Sequence, residues 1–292
     1  MQKIQTTGRE HFPCRLCEME SISERKAVKD IREWDKFLIP YEQAVEELKV
    51  KFKSLRKGFD DLGEYSPVEF VTGRVKKVSS ILAKSRLLGL EYDEISEKME
   101  DIAGIRIMCQ LLGDIYHVVE LLRERDGKDF TILYEKDYIR DKKESGYRSY
   151  HLVIKYPVHC AAGYREVLAE IQIRTLAMNF WAIIEHSLNY KFKDQVPERV
   201  QQRLQSAAAS VWSLDLEMQE LKEEIKSAQK LFKQNAMAVH SINSQLQLLS
   251  DIGENDLATR FQSRLDAILD FSSSESLEEL YKQINEYLGE ES

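Results

Sequence analysis

Residues 165–175 read REVLAEIQIRT, and the parity of this stretch decides the fold. Val167, Ala169, Ile171 and Ile173 fall on one parity, while Glu170, Gln172 and Arg174 fall on the other. Side chains alternate across a strand, so the pattern predicts one apolar face and, opposite it, a carboxylate, an amide and a guanidinium in a row. A solvated edge strand carries the same pattern, and the row alone does not separate a reactive surface from a wet one.

The neighbouring segments decide between the two. Just upstream, DKKESGYRSYHLVIKY (141–156) predicts a strand with Tyr147, Ser149, His151 and Val153 on one face and Arg148, Tyr150, Leu152 and Ile154 on the other. Its mouth is polar and aromatic on both sides, suited to a flat, charged ligand. The short link containing AAG makes these two stretches a hairpin. GIRIMCQ (104–110) and FTILYEKDY (130–138) read as further strands, with DIYHVVELLRER (114–125) as a helix between them. In MEDIAGIRI (99–107), Asp101 stands just before a strand and Arg106 lies within it, while Ala103 and Gly104 let the backbone pass close to a ligand.

Asp101 and Glu170 therefore end separate strands as a pair of hard oxygen ligands, which suits Mg²⁺ bound through one or two carboxylates and substrate phosphates. Arg74, Lys76, Lys84 and Arg86 supply positive charge for a polyphosphate. This is the wiring of a phosphoryl-type transferase, in which positioning and electrostatics supply most of the catalysis.

Outside this region the pattern is helical. Trp34, Phe37, Leu38, Tyr41, Val45, Leu48, Phe52 and Leu55 recur at helical spacing from Ile31 to Lys57, with Gly58 as the expected stop. The stretch 64–90 reads as a turn at Pro67 and then a helix that turns Val75, Val78, Leu82 and Leu88 inward. From MNFWAIIEHSLNYKF (178–192) onward the helical pattern continues almost to the end, broken near Pro197, Gly253 and FSSSES. The expected organisation is an N-terminal arm (1–30), a catalytic domain (31–195) and a helical C-terminal extension (196–292). Within the extension, Val211, Leu214, Leu216, Met218, Leu221, Ile225 and Leu231 form a heptad-like stripe that predicts an oligomer interface.

Composition limits the function classes. A chain of 292 residues with 43% hydrophobic content can bury a substantial core. The N-terminus has no basic segment leading into an apolar run, and no window reaches the ~18 apolar residues of a membrane helix, so a soluble, cytoplasmic protein with no membrane partner is expected. Of the net charge of −8, residues 194–292 contribute 9 Lys+Arg against 18 Asp+Glu, whereas residues 1–193 balance 33 against 32. Local clusters such as GRVKK and DKKESGYR suit phosphate without making a general nucleic-acid binder. The cysteines at 14, 17, 109 and 160 form no disulfide framework. Cys14 and Cys17 make a C-x-x-C after His11, but a tetrahedral zinc site wants four ligands and there is no second pair.

VTGRVK, DIAGIRIM, SGYRSYH, EIQIRT and FWAIIEH, in this order between Tyr65 and Phe192, resemble the RelA/SpoT-type small alarmone synthetases. The resemblance implies an α/β (α+β), nucleotidyltransferase-like fold with a mixed β-sheet of about five strands flanked by helices. The implied reaction is Mg²⁺-dependent transfer of the β,γ-pyrophosphate of ATP to the 3′-hydroxyl of GDP or GTP, in stringent-response signalling. The resemblance also implies roles: Arg74 and Arg106 sandwich the adenine, and Lys76, Ser80, Lys84 and Arg86 line the ATP phosphates. Tyr147 stacks on the guanine, Lys143 and His151 contact that nucleotide, and Gln172, Asn179 and Glu185 support it. Asp101 binds Mg²⁺, and Glu170 orients or deprotonates the 3′-hydroxyl and helps hold the metal. A tetramer, and regulation by RNA or an alarmone, are the implied partners. None of the six histidines precedes an aspartate, so the His-Asp hydrolase mark of bifunctional relatives is missing. The alternatives are another acceptor, such as an adenine nucleotide or a tRNA 3′ end, or a nucleotide- or RNA-binding regulator with little turnover.

Overall fold

The computed structural model describes residues 15–161, 163–192, 197–270 and 276–290, with side chains over 33–161, 163–188, 197–270 and 276–289. Its centre is a five-stranded sheet in the order β1-β2-β5-β4-β3, formed by β1 (Phe70–Val75), β2 (Ala103–Cys109), β3 (Thr131–Asp137), β4 (Tyr150–Cys160) and β5 (Gly163–Thr175). β2 and β5 run parallel, and every other pairing is antiparallel. The mixed sheet flanked by helices is the expected architecture.

β5 lies at the centre and sorts its residues as its alternation requires. Val167, Ala169, Ile171 and Ile173 are buried beside Ile105 and Ile107 of β2 and Leu152 and Ile154 of β4. Helix α1 (Arg15–Leu62) covers this apolar face with Tyr41, Ala44, Val45, Leu48 and Phe52, and α4 (Leu112–Arg123) adds Ile115, Val118, Val119 and Leu122. Burying each such side chain stabilises the fold by roughly 1.5–3 kcal/mol. The opposite face of the sheet is left polar and carries the site.

Some boundaries differ from the sequence expectation. α1 starts at Arg15, within the stretch read as an arm, and it passes through Gly58 to Leu62. One exposed glycine costs a helix about 1 kcal/mol, too little to end one anchored by a buried stripe. Cys14 lies outside the described residues. Residues 70–75 form a strand instead of leading into a helix, because backbone pairing with β2 overrides an alternation that Gly73 and Arg74 obscure. A Cβ at Gly73 would stand 2.8 Å from Val45 Cγ1 and 2.9 Å from Ile105 Cδ1, so α1 lies directly against this edge strand. α2 (Val78–Leu88) turns Ile81 and Ser85 inward, leaving Leu88 exposed. β4 begins at Tyr150, three residues after the expected mouth.

After β5 come α5 (Leu176–Phe192) and the long α6 (Glu198–Asp251). The chain divides into compact units after Leu216, inside α6. The first turns of α6 belong with the sheet because Ala208 packs with Trp181 and Ala182 of α5. The second unit has its own core, in which Ile242, Leu246 and Leu249 of α6 meet Phe261 and Leu265 of α7 (Asn255–Leu269) and Leu280 and Ile284 of α8 (Leu277–Glu290). Along α6, Leu214, Leu216, Met218, Leu221, Ile225 and Leu231 are exposed. Among the described residues no helix is long and apolar enough to cross a membrane.

One buried carboxylate joins α6 to the end of β5. The Thr175 hydroxyl donates to Asp215 at 2.8 Å, and burial pushes the Asp215 carboxyl up to about 6. A folded-state pKa above the ordinary 3.8 favours the protonated form, so stability falls as pH rises from about 4 to about 6 and stays reduced above that. Asp215→Asn keeps an acceptor for Thr175 without the charge. Thermal melts should show it more stable than the wild type at pH 8 by about 1 kcal/mol after allowance for solvent screening, with the difference fading towards pH 4.

Candidate active site

The polar face of the sheet is organised by register. Arg74 of β1 pairs with Gly104 of β2, which pairs with Glu170 of β5. The adjacent row runs Thr72, Arg106, Gln172, His151 and Lys136 across all five strands. Arg74, Asp101, Gly104, Arg106, Glu170 and Gln172 line one cleft of about 210 Å³. Gly104 adds no side chain between Arg74 and Glu170, which leaves the floor of the cleft open.

The two carboxylates are held in different ways. Lys76, just after β1, donates to Asp101 at 2.6 Å, and Lys84 of α2 donates at 2.8 Å. Burial alone would raise the Asp101 carboxyl, but the two lysines outweigh it and hold Asp101 below its ordinary value. Glu170 accepts from His151 Nδ1 at 2.8 Å and from Gln172 Nε2 at 2.7 Å. Burial and the nearby Asp101 charge work to raise Glu170, and the His151 and Gln172 contacts bring it below its ordinary value. Both groups are therefore ionised at neutral pH.

With Glu170 ionised, His151 Nδ1 carries the hydrogen, and in the neutral ring Nε2 accepts from the Tyr147 hydroxyl at 2.8 Å. The buried Arg174 completes the chain. Its Nη2 donates to the Tyr147 oxygen and, at 2.6 Å, to Gln172 Oε1, while its Nε donates to Ser149 at 3.2 Å. Arg174, Tyr147, His151 and Glu170 thus form one continuous hydrogen-bonded line. Burial, together with the nearby Arg174 and Arg74 charges, lowers the Arg106 pKa, a mark of positive potential in the cleft.

The expected residues fall into three groups. Arg74, Asp101, Arg106, Glu170 and Gln172 meet in the cleft, Lys76, Lys84 and His151 are bonded to its members, and Tyr147 is bonded to His151. Lys143 stands with its ammonium 4.7 Å from the Tyr138 ring centre and 5.0 Å from that of Tyr147. Ser80 and Arg86 lie exposed on α2, and neither lines the cleft. Asn179 and Glu185 sit half-buried on α5. The Asn179 Oδ1 is buried without a hydrogen-bond partner among the described residues, a costly arrangement that a ligand donor would relieve. The Tyr147 ring is half-buried, with the Arg174 guanidinium 4.9 Å from its centre. Arg174 was legible in the polar row of β5 but had no assigned role, and Tyr138, 5.1 Å from the His151 ring, carried no sequence signal.

The donor set fits a divalent ion. Asp101 and Glu170 offer hard oxygens to one cleft, and no cluster of three or more His, Cys, Asp or Glu is present among the described residues. An ion held there would draw its other ligands from substrate phosphates and water.

The region found in RelA/SpoT proteins matches residues 73–195. The GTP pyrophosphokinase YjbM of Bacillus subtilis (strain 168) is 55% identical over 203 residues, covering 70% of this chain and 95% of that protein. The crystal structure of small alarmone synthetase 1 from B. subtilis bound to its product pppGpp superposes with a TM-score of 0.63 at 55% identity, covering 66% of this chain and 98% of that one. The same synthetase bound to AMPCPP gives a TM-score of 0.60 at 52% identity, covering 67% and 99%. The chain belongs to the RelA/SpoT-related family of small alarmone synthetases.

Proposed function

We propose that this chain makes ppGpp and pppGpp by transferring the β,γ-pyrophosphate of ATP to the 3′-hydroxyl of GDP or GTP, without hydrolysing the products, as a cytoplasmic enzyme of the stringent response. The observation that carries this reading is the cleft in which ionised Asp101 and Glu170 face Arg74 and Arg106. In the reaction the 3′-oxygen bonds to the β-phosphorus, the bond from that phosphorus to the α,β-bridging oxygen breaks, and AMP leaves with that oxygen. Relatives of this chain have been crystallised with pppGpp and with the ATP analogue AMPCPP, in keeping with these substrates.

Each residue group has a part. The planar guanidiniums of Arg74 and Arg106 stack on the adenine. Lys76 and Lys84, now shared with Asp101, turn to the ATP phosphates, and Ser80 and Arg86 on α2 lie further along the same run. Glu170 accepts a hydrogen bond from the 3′-hydroxyl and takes its proton as the new bond forms. His151 and Gln172 hold the Glu170 carboxylate in place for that step. Tyr147 stacks on the guanine, which displaces the exposed Lys143 ammonium from the ring towards the phosphates, while Asn179 and Glu185 meet the acceptor from α5. Asp101 and Glu170 would hold Mg²⁺, which when bound neutralises charge developing on the transferred group. The exposed stripe on α6 is proposed to pack against other copies in a tetramer, and RNA or an alarmone is the candidate regulator of that assembly.

The deciding experiment incubates the purified chain with γ-labelled ATP, Mg²⁺ and, separately, GDP, GTP, AMP or tRNA, and separates the labelled products. Label should move to GDP and GTP. Movement only to AMP or tRNA would change the acceptor, and no movement would leave a binding protein.

Asp101→Asn and Glu170→Gln should each lower kcat by at least about 100-fold with the thermal midpoint retained. Near wild-type turnover with an unchanged Mg²⁺ dependence would remove the assignment.

A second pair of variants tests how the site is divided between its two nucleotides. Tyr147→Ala should raise the KM for GTP about tenfold while that for ATP changes little, and Arg106→Ala should do the reverse. Equal effects on both substrates would show that the division is wrong.

A further inference from the structure

The loop from Asp141 to Ser149 carries Lys143 and Tyr147 and contains no proline to stiffen it. Within itself it makes few backbone bonds, chiefly Gly146 N to Lys143 O at 2.9 Å and Lys143 N to Tyr147 O at 3.2 Å. From the sheet, Arg174 and His151 bond to Tyr147 and Arg174 bonds to Ser149; the outer side of the loop, from Glu144 to Arg148, is held by one face of α6. The Gln205 side-chain amide donates to the Glu144 carbonyl at 3.0 Å. Ala208 sits against Gly146 so closely that a Cβ on that glycine would lie 2.5 Å from the Ala208 Cβ, and Gly146 takes φ +89°. The Trp212 ring carries the Arg148 guanidinium at 3.9 Å.

The same face is tied down on both sides of these contacts. The Trp181 indole donates to the Leu204 carbonyl at 2.9 Å, and Asp215 accepts from Thr175 at 2.8 Å. Gln205, Ala208, Trp212 and Asp215 follow one another at helical intervals of three, four and three, and Leu204 lies four residues before Ala208, so a single stripe of α6 binds the loop, α5 and the end of β5. Tight approach at Gly146, a hydrogen bond to Glu144 and a flat cation–π contact at Arg148 fix three points along one short segment. That is more restraint than simple coverage of an apolar surface requires.

We propose that the Leu204–Asp215 stretch of α6 is the positioning element of the acceptor loop, holding Lys143 and Tyr147 ready for the guanine nucleotide. The proposal rests on the reading of this loop as the acceptor site. When only a fraction of molecules holds the competent loop, the apparent affinity falls by that fraction, so loosening α6 raises the acceptor KM. The ATP side stands on strands and is spared. Gln205, Ala208 and Trp212 are thus positioning residues that act through the loop without touching either nucleotide.

The test uses the full chain with Trp212→Ala, Gln205→Ala and Trp212→Phe. Trp212→Ala should raise the KM for GTP about tenfold, with the KM for ATP and the kcat at saturating GTP within about twofold of wild type. Gln205→Ala should act in the same direction and more weakly, which keeps the test valid if the tryptophan variant folds poorly. Trp212→Phe keeps a flat ring under Arg148 and should restore most of the affinity. Limited trypsin digestion in the absence of nucleotide gives a readout independent of turnover: cleavage after Lys142, Lys143 and Arg148 should be faster in both alanine variants at an unchanged thermal midpoint. Unchanged cleavage with an unchanged GTP KM would overturn the proposal, as would an equal rise in both KM values with a lowered midpoint. Failure of the wild type to transfer pyrophosphate to GDP or GTP would count against the functional reading instead, and the trypsin rates would still decide whether α6 holds the loop.

Discussion

The strict alternation of β5 is the constraint on which the rest of the structure depends. Ile171 and Ile173 are fully buried while Glu170, Gln172 and Arg174 bond to one another on the opposite face. A slip of one residue would turn a carboxylate and a guanidinium into the apolar layer under α1 and α4, where an unpaired charge costs several kcal/mol. Because β5 pairs with β2 on one side and β4 on the other, this choice also fixes which residues of those strands face the cleft. Gly104 comes level with Glu170, and Arg106 and His151 come level with Gln172 from opposite sides. The site is in this sense a consequence of the core.

Electrostatics then divide the work within the cleft. The unit ending at Leu216 is neutral overall, with 35 Lys+Arg against 35 Asp+Glu, and the net charge of −8 belongs to residues 217–292, with 7 against 15. Positive potential at the site is therefore local, made by Arg74, Arg106 and Arg174 converging on one face. Asp101 is paired with two long, flexible lysines, Lys76 and Lys84. Glu170 is held by a histidine and an amide, which can stay in place while a hydroxyl approaches. The same carboxylate chemistry thus gives one group suited to a changing set of cationic partners and one suited to a fixed orientation.

What the sequence made legible follows from which signals are local. The period of two in β2, β4 and β5, and the carboxylates at Asp101 and Glu170, stand in short stretches and need no distant partner to be read. β1 was obscured because Gly73 is there for the closeness of Val45 and Ile105, a contact between distant parts of the chain. The extent of α1 beyond Gly58 depends on a stripe buried against the sheet, and the division after Leu216 depends on Ala208 meeting Trp181. Arg174 could be placed on a face by parity. Its bonds to Ser149, Tyr147 and Gln172 join two strands and a loop, which no spacing rule foretells.

The cleft and the loop beside it also differ in what supports them. Arg74 and Arg106 project from paired strands whose register is fixed by the core, so this side of the cleft has little freedom to move. Lys143 and Tyr147 sit on a loop, and loops hold a single geometry only when something outside them supplies the order that their own bonds do not. Here that support comes from Arg174 and His151 of the sheet and from the face of α6 that carries Gln205, Ala208 and Trp212. The geometry of this loop is therefore set apart from that of Arg74, Arg106 and Glu170, which the strand register fixes.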